Sequence, residues 1–127
     1  MRTPQGKPDS DLRYQSIIDA LPDLVYVDDH TRRIVLINQT LLNNLPRLGL
    51  DTTPLGQRYE DVFNPPAEVI AAMDAVFETG EPWTGRMDVE ISGEPLCTDC
   101  QRVPLHDDHG AVGWVAVLHR EQHERYQ

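Results

Sequence analysis

Residues 21–43 read LPDLVYVDDHTRRIVLINQTLLN, and the way this stretch is parsed decides the fold. Val25, Tyr26 and Val27 form one short apolar run, and Ile34, Val35, Leu36 and Ile37 form a second. Both are strand-length and bounded by Asp and Arg, which predicts a β-hairpin. Asn38 follows where a helix cap belongs, since its side chain can accept from the free N–H groups of the next turn. Gln39 to Asn43 then continue as a short helix.

Upstream, Met1 to Pro8 is rich in Pro, Gly and polar residues and reads as a flexible arm. Asp9, Ser10 and Asp11 are alternative caps for a helix that runs to about Ala20 and is stopped by Pro22. Leu12, Ile17, Ile18 and Leu21 fall on one broad apolar face of it, so an amphipathic helix is expected. That face covers either the chain's own sheet or a partner.

Downstream, Leu41, Leu42, Leu45 and Leu48 have near-helical spacing interrupted by Pro46, which favours short, broken helices. Gly49 to Gly56 is turn-rich, and Tyr59 to Phe63 forms another helical turn. Asn64-Pro65-Pro66 opens the clearest helix, with Val69, Met73, Val76 and Phe77 as a continuous apolar stripe and Gly80 as its stop. From Trp83 the period changes to two. Thr84 to Ile91, Leu96 to Leu105 and Ala111 to Leu118 are three strands separated by Ser92-Gly93-Glu94-Pro95 and by His106 to Gly110. The last is the most apolar and is expected to be central or covered on both faces. The order of elements predicts an α+β fold, a five-stranded antiparallel sheet with helices packed on one face.

At 127 residues and 39% hydrophobic, the chain is expected to form one domain. A net charge of −10 argues against a nucleic-acid surface and against anionic membranes. No apolar run approaches the roughly 18 residues that span a bilayer, and the first ten residues do not form a signal peptide, so a cytoplasmic location is the expectation.

Several segments together resemble the PAS domain, over about Leu12 to Arg120. Leu21-Pro22-Asp23 resembles the lead into the family's first strand, and Arg33 to Asn38 its second strand with the terminal Asn. Leu55-Gly56 with Glu60-Asp61-Val62-Phe63 resembles its Gly–x4–Asp–apolar–apolar segment. Val103 to Gly110 resembles its last hairpin, and Val112-Gly113-Trp114-Val115 its final strand. The frequent Asp-Ile-Thr after that strand is replaced by His119-Arg120-Glu121. The resemblance assigns residues 9–120 to the PAS domain, 1–8 to the arm, and 121–127 to a linker or the start of a signalling helix.

The resemblance implies a sensory or interaction module, homodimeric through its N-terminal helix and sheet, with an output domain or partner kinase. Flavin-binding relatives carry a Gly-Arg-Asn-Cys-type motif that is absent here. Haem-binding relatives often use a His on the long helix, and residues 64–80 contain none. Neither cofactor is expected, and the ligand is left unassigned. It would sit between the inner sheet face and the long helix, with Tyr26, Met73, Phe77 and Cys100 as lining candidates. A core filled by side chains is the competing reading.

Cys97-x2-Cys100 followed by His106 and His109 offers soft ligands for a metal- or redox-responsive switch, the alternative function. On a flat strand positions 97 and 100 point to opposite faces, so the favoured reading packs one Cys in the core and leaves both His in a solvated turn. Asp28-Asp29 and Asp107-Asp108 are read as turn carboxylates. His119 lacks the downstream residues of a phosphoacceptor helix and is read as a strand end running into a solvated helix. Without a nucleophile elbow, phosphate loop or zinc-protease motif, no enzymatic activity is expected.

Overall fold

Two strand-forming runs joined by Asp29 to Arg33 do close into a hairpin, and the Asp29 side chain shapes its turn. Its Oδ1 accepts from the Thr31 N–H at 2.9 Å and the Arg33 N–H at 3.0 Å. The structure, a computed structural model, describes residues 11–50, 54–63, 65–91 and 94–121. The expected arm, the turn at Ser92-Gly93 and the segment after Glu121 lie outside these residues.

The strands are β1 (Leu24–Asp29), β2 (Ile34–Ile37), β3 (Trp83–Ile91), β4 (Glu94–His106) and β5 (Val112–Glu121). The helices are α1 (Asp11–Asp19), α2 (Gln39–Asn44), α3 (Tyr59–Phe63) and α4 (Ala67–Thr79). The sheet has five strands in the order β2-β1-β5-β4-β3, and every pairing is antiparallel. The apolar β5 is central, as its composition predicts.

All four residues of β2 are buried, which strict alternation on a one-sided strand does not produce. A bulge resolves this. Val27 pairs with Leu36 but Asp28 pairs with Ile34, so Val35 is the extra residue. Ile34 and Ile37 thereby both reach the main core, while Val35 and Leu36 join a smaller cluster with Val27 on the opposite face.

The main core lies between the sheet and α2, α3 and α4. Met73 and Val76 of α4 are fully buried in it, and Val69 and Phe77 pack against it, as the stripe predicts. Each such side chain contributes on the order of 1.5–3 kcal/mol by leaving water. Gly80 ends α4 at φ 72°, and its N–H donates to the Val76 carbonyl at 2.9 Å. The turn after residue 54 runs back along β2. Gly56 N–H donates to Ile34 O at 2.8 Å and Tyr59 N–H to Arg32 O at 2.7 Å, which covers part of that edge and sets Tyr59 over the core.

Helix α1 packs differently from the other three. Ile18 joins the small outer cluster, whereas Ile17, assigned by sequence to the same apolar face, is 56% exposed. The Leu12 side chain lies outside the described residues. No helix among the described residues is long and apolar enough to cross a membrane.

Asn38 links these parts. Its Oδ1 accepts from Val25 N–H at 3.1 Å and from Leu41 N–H at 3.0 Å. Its Nδ2 donates to Ile18 O at 2.8 Å and to Asp23 O at 2.9 Å. One buried amide thus caps α2 and holds the C-terminal end of α1 against β1.

Candidate functional site

The period of two along each strand, combined with the pairing register, fixes which side chains share the inner face. Tyr26 on β1 is opposite Val117 on β5, which is opposite Arg102 on β4, which is opposite Trp83 on β3. The next row is Leu24, His119, Cys100 and Gly85, and on the other side Asp28 lies opposite Val115. Tyr26 and Arg102 are therefore two strands apart, about 10 Å between backbones, with Val117 between them.

This face carries an unusual number of polar groups for a core. Arg102 is 1% exposed, Tyr26 2% and Asp28 0%. Arg102 Nε and both Asp28 carboxylate oxygens have no hydrogen-bond partner among the described residues, and the Tyr26 hydroxyl makes no well-formed bond, although the Tyr59 hydroxyl lies close enough to act on it. Arg102 has other contacts: its Nη2 approaches Met87 Sδ at 3.6 Å, and its guanidinium carbon lies 4.9 Å from the centre of the Trp83 ring. Neither supplies a counter-charge.

Burial, and next the charge of Asp29, hold the Asp28 carboxyl well above the usual carboxylate range, outweighing the pull of Arg102. Burial also raises the Tyr26 and Tyr59 hydroxyls and the Cys100 thiol. His119 moves the other way. Burial and then the positive charge of Arg102 lower it to about 4, so its ring is neutral at pH 7. Its Nδ1 lies 2.9 Å from Thr98 Oγ1, and its Nε2 lies 4.0 Å from Cys100 Sγ.

An aromatic group surrounds Tyr26. Its ring stacks with Tyr59 at 5.8 Å, Phe63 at 5.4 Å and His119 at 6.0 Å between centres. His119 also lines an open groove of about 570 Å³ at the ends of β1 and β5, bordered by Leu24, Thr40, Arg47 and Arg120. Ion pairs of Arg120 with Asp23, at 3.2 Å, and of Arg47 with Glu121 flank it.

Of the residues singled out from sequence, Tyr26, Met73 and Cys100 are buried together in the main core, and Phe77 packs against it. The four residues of the metal alternative, Cys100 among them, are not gathered. Cys100 faces the core, whereas Cys97 is half-buried and its Sγ accepts from Arg86 Nε at 3.0 Å. His106 ends β4 and His109 lies in the following turn, both exposed. Among the described residues no three His, Cys, Asp or Glu side chains are placed to hold a metal ion.

Two assignments need correction. Asp28 is a fully buried residue of β1, not a turn carboxylate, because alternation along β1 places it on the inner face with Tyr26. His119 belongs to that same face and is not the strand's end, since β5 continues to Glu121, and the segment after it lies outside the described residues. Sequence reading also passed over Arg102. The signal was present as parity, since Thr98, Cys100 and Arg102 alternate on one side of β4, as do Tyr26 and Asp28 on β1.

The comparisons agree with this architecture. Residues 18–127 match the family described as the PAS fold. The methanogenesis regulatory histidine kinase FilI of Methanothrix harundinacea is 30% identical over 118 residues, which cover 88% of this chain and 13% of that protein. The chain thus spans only a small part of that relative's length. The PAS domain of Bordetella pertussis BvgS superposes with a TM-score of 0.73 at 23% identity, covering 92% of this chain and 90% of that one. The Vibrio cholera VqmA–ligand–DNA complex gives a TM-score of 0.70 at 15% identity, covering 87% of this chain and 50% of that one. With a family match over nearly its whole length, on a sheet and helices of this topology, the chain belongs to the PAS family of sensory domains.

Proposed function

We propose that this PAS domain is the sensory input module of a larger signal-transduction protein, that it takes a small molecule between the inner sheet face and α4, and that it works as a homodimer in the cytoplasm. The observation that carries the ligand reading is the set of buried, unpartnered groups on Tyr26, Asp28 and Arg102. Interiors satisfy nearly all buried polar atoms, so several orphans on one face mark a place where another molecule supplies the partners. Tyr26, Met73, Phe77 and Cys100 would line that place. The kinase named among the relatives supports attachment to a kinase output, and the ligand in the VqmA complex supports small-molecule sensing.

Dimerisation is supported by the outer face. Val103 is exposed there, and Leu105, Trp114 and Ala116 are partly so, beside α1 with its exposed Ile17. The cytoplasmic reading is supported by two free cysteines, which suit a reducing compartment.

Native mass spectrometry of gently purified protein tests both parts. The expected spectrum has a dimer, dissociated by Val103→Glu, and a retained compound of small-molecule mass that is lost on denaturation. A monomer at micromolar concentration would remove the dimer reading. Folded protein without a retained compound, unresponsive to any small molecule in a metabolite screen, would remove the sensory one.

A further inference from the structure

We propose that the inner sheet face around Arg102 is a receptor site for a small carboxylate bearing an aromatic ring, entered from the groove at His119. This rests on the sensory reading above and assigns the chemical class of its ligand.

The orphaned groups share one character. Arg102 Nε–H can only donate, the Tyr26 hydroxyl can donate, and Asp28 donates when its carboxyl carries a proton. Charge points the same way. A guanidinium stays ionised in a protein, yet no carboxylate pairs with Arg102 among the described residues. On the same face burial raises the Asp28 carboxyl and the Cys100 thiol and lowers His119 to about 4, so each is shifted toward its uncharged form. A buried guanidinium with no ion pair among the described residues thus lies in the core, where an ion is strongly disfavoured unless an opposite charge joins it. A carboxylate matches the guanidinium fork with two parallel hydrogen bonds and has lone pairs left for the other donors.

The preference for a ring follows from the walls. Tyr26, Tyr59, Phe63 and His119 present stacked faces on one side, and Trp83 lies over the guanidinium on the other. Gly85 makes the Trp83 position possible, because a Cβ there would fall 2.7 Å from the indole. His119 belongs both to the groove and to the stack on Tyr26, so the groove borders the aromatic cluster.

The test uses the chain with Trp114→Phe, which leaves Trp83 as its single tryptophan reporter beside Arg102. Benzoate, phenylacetate and the neutral benzamide are titrated at millimolar concentrations, following Trp83 emission and thermal unfolding. A carboxylate is expected to change the emission saturably, to raise the Tm, and to bind at least about tenfold more tightly than benzamide. Arg102→Met should lose that preference while unfolding at the same or a higher temperature, since an apolar side chain of similar length replaces a lone buried charge. Benzamide binding as tightly as either carboxylate overturns the anion assignment and leaves small-molecule sensing standing. No carboxylate preference at all, or equal binding to Arg102→Met, also overturns it. An Arg102→Met protein that melts markedly lower would identify Arg102 as a structural partner within the core. Failure of the sensory reading itself would be read separately, from the mass spectrum and metabolite screen.

Discussion

Asn38 has both ends of its amide engaged with backbone, two donors on its oxygen and two acceptors on its nitrogen. Asn38→Ala leaves these groups buried and unpaired and is expected to cost about 3 kcal/mol in a urea unfolding titration, combining a lost cap with lost buried hydrogen bonds. Asn38→Asp should lose nearly as much, because it keeps the acceptor and removes both donations. His119 makes a prediction in pH. Its value falls from 6.5 in the unfolded chain to about 4 in the fold, so between these values the unfolded state holds the extra proton. Stability should therefore drop as pH falls from 6.5 to about 4, by about 3 kcal/mol in all. Asp28 acts with the opposite sign, since its raised value makes the folded state the better proton binder above the ordinary carboxylate range. Comparison with His119→Gln isolates the histidine part, and an unchanged acid slope in that variant would refute the assignment. The role of Asn38 as a cap was legible because it stands between a strand and a helix. Its other hydrogen bonds were not, since they depend on where α1 and β1 come to rest.

At the scale of elements, α4 follows directly from sequence: a proline at the N-cap just before its first turn, an apolar stripe and a glycine stop. Gly80→Ala tests the stop. A Cβ there would meet Val112 at an ordinary 3.7 Å, so the expected loss of about 1 kcal/mol comes from the left-handed backbone alone. Gly80→Asn should recover part of it, and equal melting temperatures for all three proteins would show that the cap contributes nothing. The hairpin was legible as two strands but not in its register. Asp28-Asp29 reads as a turn when taken as a pair, whereas the alternation that passes through Tyr26 puts Asp28 inside and leaves Asp29 to shape the turn. The apolar face of α1 was likewise written too broadly. A short helix lodged against the sheet by Ile18 and by the Asn38 amide leaves Ile17 in solvent.

For the whole molecule, the order of elements and the apolar character of β5 were enough to predict a five-stranded antiparallel sheet with a central last strand. The polar inner face was not, because Arg102, Asp28 and His119 come from three strands and meet only through the register. The domain thus has an ordinary core on the α4 side and a group of buried polar side chains beside it, and the ligand reading proposed above rests on the second feature. A high-resolution crystal structure of the protein as purified, without added ligand, tests this most directly. The expected result is non-protein density over Val117, within hydrogen-bond distance of Arg102 Nε and the Tyr26 hydroxyl. Arg102 and Asp28 closed on each other as a direct ion pair, with the space between sheet and α4 filled by side chains alone, would contradict it.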